Sequence, residues 1–288
     1  MSAAIADLTR RHPCYSADPR GKARIHLPVS PGCNLLCKFC LRKTDTGTMA
    51  PGVASSLLTP EEAMDVLRRA VKRIPEISVV GIAGPGDTLV TPYAIETLCR
   101  AGEAFPQLLK CMSTNGLLLE DKAAEVLEAD IDALTVTVNA VNPMILAEIC
   151  SGYIYKGKRR NDFDFLIRQQ LKGIRTVAKE GLTVKVNAVL CPGINDGHIQ
   201  EIAKAVKEAG ARLFNVIPLI PQNALSHLRE PGCPEVERTR AAVEEILPVF
   251  RHCMRCRADA VGYIGGEDIS RELYGGKLIA SENTFSHG

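Results

Sequence analysis

Three cysteines, Cys33, Cys37 and Cys40, stand in the run CNLLCKFC with no fourth nearby. Closely spaced thiolates bind metal, and a closed tetrahedral site takes four protein ligands, so a set of three leaves one position open. Three thiolates can hold three irons of a [4Fe-4S] cube and leave the fourth iron to a substrate or cofactor. The alternative is a zinc ion completed by a distant Cys or His. The C-x3-C-x2-C spacing, with aromatic Phe39 before the last cysteine, favours the cube. A second pair, Cys253 and Cys256, sits in CMRC near the other end of the chain. Six more cysteines (Cys14, Cys99, Cys111, Cys150, Cys191, Cys233) are scattered singly, where a cysteine is usually a small buried hydrophobe. The odd total of eleven argues against a disulfide framework and for metal or redox chemistry in a reducing compartment.

Such ligands need a scaffold, and apolar β-rich runs alternate with helical patterns along the chain. Six strands are expected, at 23–30, 77–83, 108–114, 133–140, 182–190 and 212–220. Several read as nearly continuous apolar runs, which suits parallel strands covered on both faces. The first helix opens on Thr59 as cap, with Pro60 in the first turn and Glu62 closing a capping box. Its Met64, Leu67 and Val71 share a face. Further helical patterns lie at 92–104, 121–129, 162–179, 198–209 and 234–250. Repeated strand and helix units imply βαβ crossovers. Six are too few for a closed eight-stranded barrel, so the expected fold is α/β, a partial (β/α)6 barrel of TIM type, with a doubly wound open sheet as the alternative. In either, active residues gather at the carboxyl ends of strands. CNLLCKFC follows the first strand and is expected as a loop at that mouth.

The formal charge of +2 comes from 35 basic and 33 acidic residues that are interspersed. No nucleic-acid or membrane partner is expected from such a surface. The opening MSAAIADLTRRHP has no apolar run of signal-peptide length, and no run reaches membrane-span length. The expectation is a cytoplasmic protein with one domain over residues 1–265 and a polar tail over 266–288.

Cys33, Cys37, Phe39 and Cys40 match C-x3-C-x-aromatic-C, and on that signature the chain resembles the radical S-adenosylmethionine (SAM) superfamily. The resemblance implies that SAM is the missing ligand. Its amino and carboxylate groups would chelate the open iron, and an electron from the cluster would cleave its sulfonium, yielding a deoxyadenosyl radical or a methyl transfer. It further implies a glycine-rich turn after the second strand whose carbonyls receive the SAM ammonium. AGPGD supplies Gly84 and Gly86 there, with Asp87 as a further acceptor. Ser113, Thr114 and Asn115 end the third strand, Thr137 and Asn139 the fourth, and Asn187 and Val189 the fifth. These could bind ribose and carboxylate, Val189 flanking adenine, or could simply satisfy backbone groups at strand ends.

The likeness narrows with HPCYS at 12–16, GIAGPGD, STNG, KVNAVLCPGIND, NVIPLI and CMRCRADAVG, which together resemble the NifB family of nitrogenase cofactor-biosynthesis proteins from about His12 to Asp268. That resemblance implies an enzyme fusing two [4Fe-4S] units around a carbide taken from a SAM methyl group, with an added sulfur. Additional [4Fe-4S] clusters would then bind at Cys253 and Cys256, with His12, Cys14 and Cys111 as further candidates. It also implies an iron-sulfur cluster donor, a low-potential electron donor and a cofactor-accepting protein as partners. His252 is expected as a surface residue and His26 as an inward-facing strand residue. After the signature the family typically reads N-R-K-Y-D-C-x-N-E-S-R-P-G, whereas this chain reads LRKTDTGTMAPG and lacks the cysteine between Arg42 and Pro51. Two alternatives therefore stand beside cofactor synthesis: a divergent paralogue with another substrate, and a non-catalytic iron-sulfur scaffold.

Overall fold

The computed structural model describes residues 3–41, 43–44 and 47–274. In chain order its elements begin with α1 (Ala3–Arg11), β1 (Ala23–His26), β2 (Leu35–Cys37), β3 (Lys43–Thr44), β4 (Val53–Ala54), α2 (Pro60–Arg73) and β5 (Ile77–Ile82). There follow α3 (Tyr93–Ala104), β6 (Leu109–Thr114), α4 (Ala123–Glu128), β7 (Ala133–Thr137), α5 (Pro143–Ile149), β8 (Cys150–Tyr155) and β9 (Lys158–Arg160). The rest are α6 (Phe163–Lys179), β10 (Thr183–Leu190), α7 (Ile199–Glu208), β11 (Leu213–Pro218), α8 (Cys233–Glu244), β12 (Val261–Tyr263) and α9 (Ser270–Leu273).

All six expected strands form one parallel array in the order β11-β10-β7-β6-β5-β1, with β12 antiparallel on β1. Each strand is laid beside its predecessor in sequence, with no reversal. Right-handed crossovers then put every connecting helix on one face, whereas a doubly wound sheet needs a point where the order reverses. The sheet is accordingly a curled half barrel, and the doubly wound alternative is excluded. Outward positions such as Ile25, Val80, Met112, Leu134, Val186 and Phe214 are buried against the helices. The opposite face carries Arg24, Gly81, Ser113, Thr135, Lys185 and Asn215, so the strands alternate after all. The small polar residues at every second position of LTVTVNA and VKVNAV carried that period.

The capping box forms as read: Glu62 N–H donates to Thr59 Oγ1 (3.2 Å) and Thr59 N–H to Glu62 Oε2 (2.8 Å). The helix expected at 234–250 stops at Glu244, because Pro248 cannot continue it. Instead Pro248 O accepts from Phe214 N–H (2.9 Å) and Phe250 N–H donates to Phe214 O (2.8 Å), covering the free edge of β11. The cysteine segment is more than a loop: β2 lies within it, in the sheet β2-β8-β9. Leu8 of α1 and Tyr15 pack on Val79, Leu109 and Ala133 and plug the amino end of the half barrel.

The tail expected from residue 266 starts instead as packed chain. Ile269, Leu273 and Tyr274 join the main core, and Tyr274 Oη donates to His26 O (2.5 Å). Residues 275–288 lie outside those described. Ending the chain at 265 rather than at 274 should therefore cost more than about 3 kcal/mol, at about 1.5–3 kcal/mol per large apolar side chain buried. Urea denaturation of the two chains measures this.

Candidate active site

The inner face of the half barrel bounds a cavity of about 300 Å³ that runs from the plug formed by His12 and Cys14 to the mouth at Phe39 and Cys40. Its two ends therefore carry the two kinds of cysteine singled out from the sequence.

At the mouth, the signature loop is clamped to the turn after β5. Gly86 N–H donates to Ser30 O (2.7 Å) and Asp87 N–H to Gly32 O (2.7 Å). A Cβ on Gly86 would stand 1.9 Å from Gly32 O, so the contact requires glycine. Gly84 has φ +128° and continues this turn. The buried Asp87 carboxylate accepts from Thr114 Oγ1 (2.9 Å), Asn115 N–H (2.6 Å) and Leu89 N–H (3.0 Å). Asp87 thus ties β6 to the turn inside the protein, instead of presenting an acceptor to the cavity. Asn115 passes the restraint on: its Nδ2 donates to Asn34 Oδ1 (2.7 Å) and lies 3.7 Å from Cys33 Sγ.

Cys33, Cys37 and Cys40 are half-buried, and Cys40 borders the cavity. Cys37 faces Cys150 across the β2–β8 pairing. A hydrogen bond with Cys150, then burial, push the Cys37 thiol well above its ordinary range, a proton that iron would have to displace. Cys150, read as a lone hydrophobe, is therefore part of the loop's surroundings; only the strand pairing reveals it. Among the described residues no three His, Cys, Asp or Glu side chains converge as ligands of a single ion. A [4Fe-4S] cube takes one thiolate per iron, and the three thiols of this loop are the donor type it uses.

The other strand-end candidates divide in two. Ser113, Thr137, Asn187 and Val189 line the cavity. Asn139 does not: its Oδ1 accepts from Val189 N–H (2.9 Å) and its backbone O from Asn195 Nδ2 (3.0 Å), which joins the ends of β7 and β10. Thr114 is taken up by Asp87.

Deeper in the cavity lie Cys14, Cys111, Cys253 and Cys256. Burial pushes the Cys14 thiol up to about 11 and the Cys111 thiol up to about 12. Both would stay protonated until a metal replaced the proton. Cys253 and Cys256 hang on a latch that was not recognised in the sequence, although its residues stand in CMRCRADAVG. Arg257 Nε and Nη2 donate to the Asp259 carboxylate (2.8 and 3.0 Å), and Nη1 to Thr48 O (2.6 Å). Asp259 also accepts from Ser55 N–H and Oγ (2.6 Å each). Burial opposes ionisation of Asp259, but these donors outweigh it and lower its pKa. His12 is buried with Nδ1 accepting from Cys14 N–H (3.1 Å). Binding iron through Nε2 would require Nδ1 to carry the proton and release that bond. His26 faces inward as expected, and exposed His252 meets Ala17 O at 2.8 Å.

The radical SAM superfamily model matches residues 27–206. The chain is 43% identical over 276 residues to the FeMo cofactor biosynthesis protein NifB of Methanocaldococcus jannaschii, covering 94% of this chain and 92% of that one. It is 41% identical to the FeMo cofactor biosynthesis protein NifB of Klebsiella pneumoniae, covering 93% of this chain but 60% of that longer one. Among solved structures, a radical SAM methyltransferase from Sphaerobacter thermophilus superposes with a TM-score of 0.60 at 17% identity, covering 80% of this chain and 66% of that one, a likeness of fold.

Gly86→Ala should separate the signature loop from its turn. The expected result is a loss of about 2 kcal/mol or more in stability and retention of less iron by the signature cysteines, with circular dichroism unchanged. Burial, then Arg24, lower the His26 pKa to about 4. The unfolded chain, titrating near 6.5, binds the proton first, so stability should fall as pH drops from about 6.5 toward 4. Urea midpoints should fall less steeply across that window in His26→Gln, with the remaining slope coming from His12, whose pKa burial also lowers.

Proposed function

The chain belongs to the radical SAM superfamily and, within it, to the NifB family, and on that premise we propose that it builds a carbide-containing iron-sulfur precursor of the FeMo cofactor. It is a radical SAM enzyme, and that membership implies SAM and a [4Fe-4S] cluster. The observation that carries the finer reading is the single cavity joining Cys40 at the mouth to Cys14, Cys111, Cys253 and Cys256 below. On this reading a SAM site and a second thiol-rich site share one cavity, as methyl or radical transfer to a bound cluster demands.

In this reading Cys33, Cys37 and Cys40 hold the cluster, and Ser113, Thr137, Asn187 and Val189 line the space for SAM. The Gly84 to Gly86 turn offers backbone carbonyls. SAM with its cluster supplies reductive sulfonium cleavage and a methyl group; the chain orients both and excludes water. Cys253 and Cys256, with Cys14 or Cys111, hold the iron-sulfur substrate. An iron-sulfur cluster donor, a low-potential electron donor and a protein that accepts the product complete the scheme as proposed partners.

One observation favours a second reading, a paralogue with another substrate. The segment LRKTDTGTMAPG, which leads into the cavity wall at Pro51 and Gly52, lacks the cysteine that the family typically carries between Arg42 and Pro51, and residues 42, 45 and 46 within it lie outside those described. Anaerobic reconstitution separates the two. Cofactor synthesis predicts eight or more irons per chain, on the order of two cubes, together with 5′-deoxyadenosine and label passing from methyl-labelled SAM into the bound cluster. SAM cleavage with unlabelled clusters would favour the paralogue, and no cleavage at all would sink both.

A further inference from the structure

Two cations are buried at the cavity floor with no carboxylate against them among the described residues. Arg24 on β1 and Lys185 on β10 are 4% and 6% exposed and approach the floor from well-separated strands of the half barrel. Arg24 Nη1 donates to Gly262 O (2.5 Å) and Nη2 to Cys256 Sγ (3.1 Å), while its Nε has no partner. Lys185 Nζ reaches Cys14 O at 3.4 Å and otherwise lies over the rings of Tyr15 (4.7 Å) and Phe250 (5.4 Å). Asp268 attracts Arg24 only through space. A third donor joins them: with Nδ1 of His12 accepting from Cys14, the neutral ring carries its proton on Nε2, which is also buried and unpartnered.

Burying charge without a counter-charge is costly, and replacing it with an apolar side chain of similar volume usually stabilises a protein. A floor that keeps two such charges and an unused N–H donor, all between Cys14 and Cys256, is complementary to an anion that also accepts hydrogen bonds. A thiolate-bound iron-sulfur cluster is such an anion, and the charge and hydrogen bonds around its sulfurs set its potential. We propose that Arg24, Lys185 and His12 Nε2–H form the anion-binding floor for the iron-sulfur substrate, neutralising its charge and donating to its sulfurs. This inference rests on the reading that the cavity receives a cluster.

Lys185 is the cleaner probe, because its hydrogen bond goes to the Cys14 backbone oxygen, whereas Arg24 donates to the Cys256 thiol. In the full chain carrying Cys33→Ala, Cys37→Ala and Cys40→Ala, iron bound after anaerobic reconstitution reports the cavity alone. Adding Lys185→Met should raise the melting temperature of the iron-free protein. It should also weaken cluster retention at least tenfold and shift the midpoint potential, followed by electron paramagnetic resonance, to more negative values. Lys185→Arg should restore retention and potential, and Arg24→Gln should repeat the negative shift. Equal iron at an unchanged potential in Lys185→Met overturns the inference while leaving the cluster reading intact. A melting temperature that falls along with iron content makes the lysine a structural residue and also overturns it. No iron in the parent cavity overturns both readings together.

Discussion

The carboxylate of Asp87 is the point on which the site's geometry depends. From the turn after β5 it accepts hydrogen bonds from Thr114, Asn115 and Leu89, while its own N–H holds Gly32 O of the signature loop. One buried charge thus couples β5, β6 and the cysteine segment. Because a buried carboxylate is tolerated only when its acceptor capacity is met, the bonds hold as a set: losing one leaves the remaining charge poorly compensated. The neighbouring Gly86 lets the backbones approach closely enough for the set to form. Asn115 then transmits the position of β6 to Asn34 and the Cys33 sulfur. The three cysteines are placed by this knot and by the β2–β8 pairing, so they are preorganised by strand geometry although they lie between core strands.

The sequence made the scaffold legible because its signals are local. Six apolar runs, the capping box at Thr59 and the turns at strand ends each depend on neighbours within a few residues. The inner face was visible too, in the alternating Thr135, Thr137, Lys185 and Asn187, but the apolar density of the same runs hid the period. What escaped were elements stabilised by remote partners. β2 has three residues and exists because β8 pairs with it. The segment after Glu244 reads as helix until Phe214 offers an edge. Residues 269–274 are polar enough to pass for a tail, yet Ile269, Leu273 and Tyr274 alone suffice to anchor them.

The candidate site divides along the same line. Residue type and spacing identified the cysteines, since metal chemistry restricts the donors and the signature is contiguous. Roles for strand-end polar groups were less legible, because an Asp or Asn serves a ligand and a backbone equally well in sequence. Asp87, Asn139 and Thr114 turned to the backbone and to each other, while Ser113, Thr137 and Asn187 turned to the cavity. Arg257 and Asp259 went unread for a related reason: two residues apart in RADAVG they look like solvated charges, and only their burial identifies an internal ion pair.

That ion pair bears on a segment where the chain departs from its family. Arg257 holds Thr48 O, Asp259 holds Ser55, and Ala258 N–H donates to Val53 O (2.8 Å), so the stretch from 48 to 55 is pinned beside the Cys253 and Cys256 segment. The chain lacks the cysteine that the family typically carries between Arg42 and Pro51. Its absence leaves Cys253 and Cys256 as the thiols nearest the latch in sequence, and on the proposed reading this changes how tightly a cluster is held rather than whether it can enter. A cube closed by four thiolates is a permanent fixture. One held by fewer, with buried cations supplying part of the compensation, keeps irons open to exchange, and an iron-sulfur unit that is substrate must be free to leave.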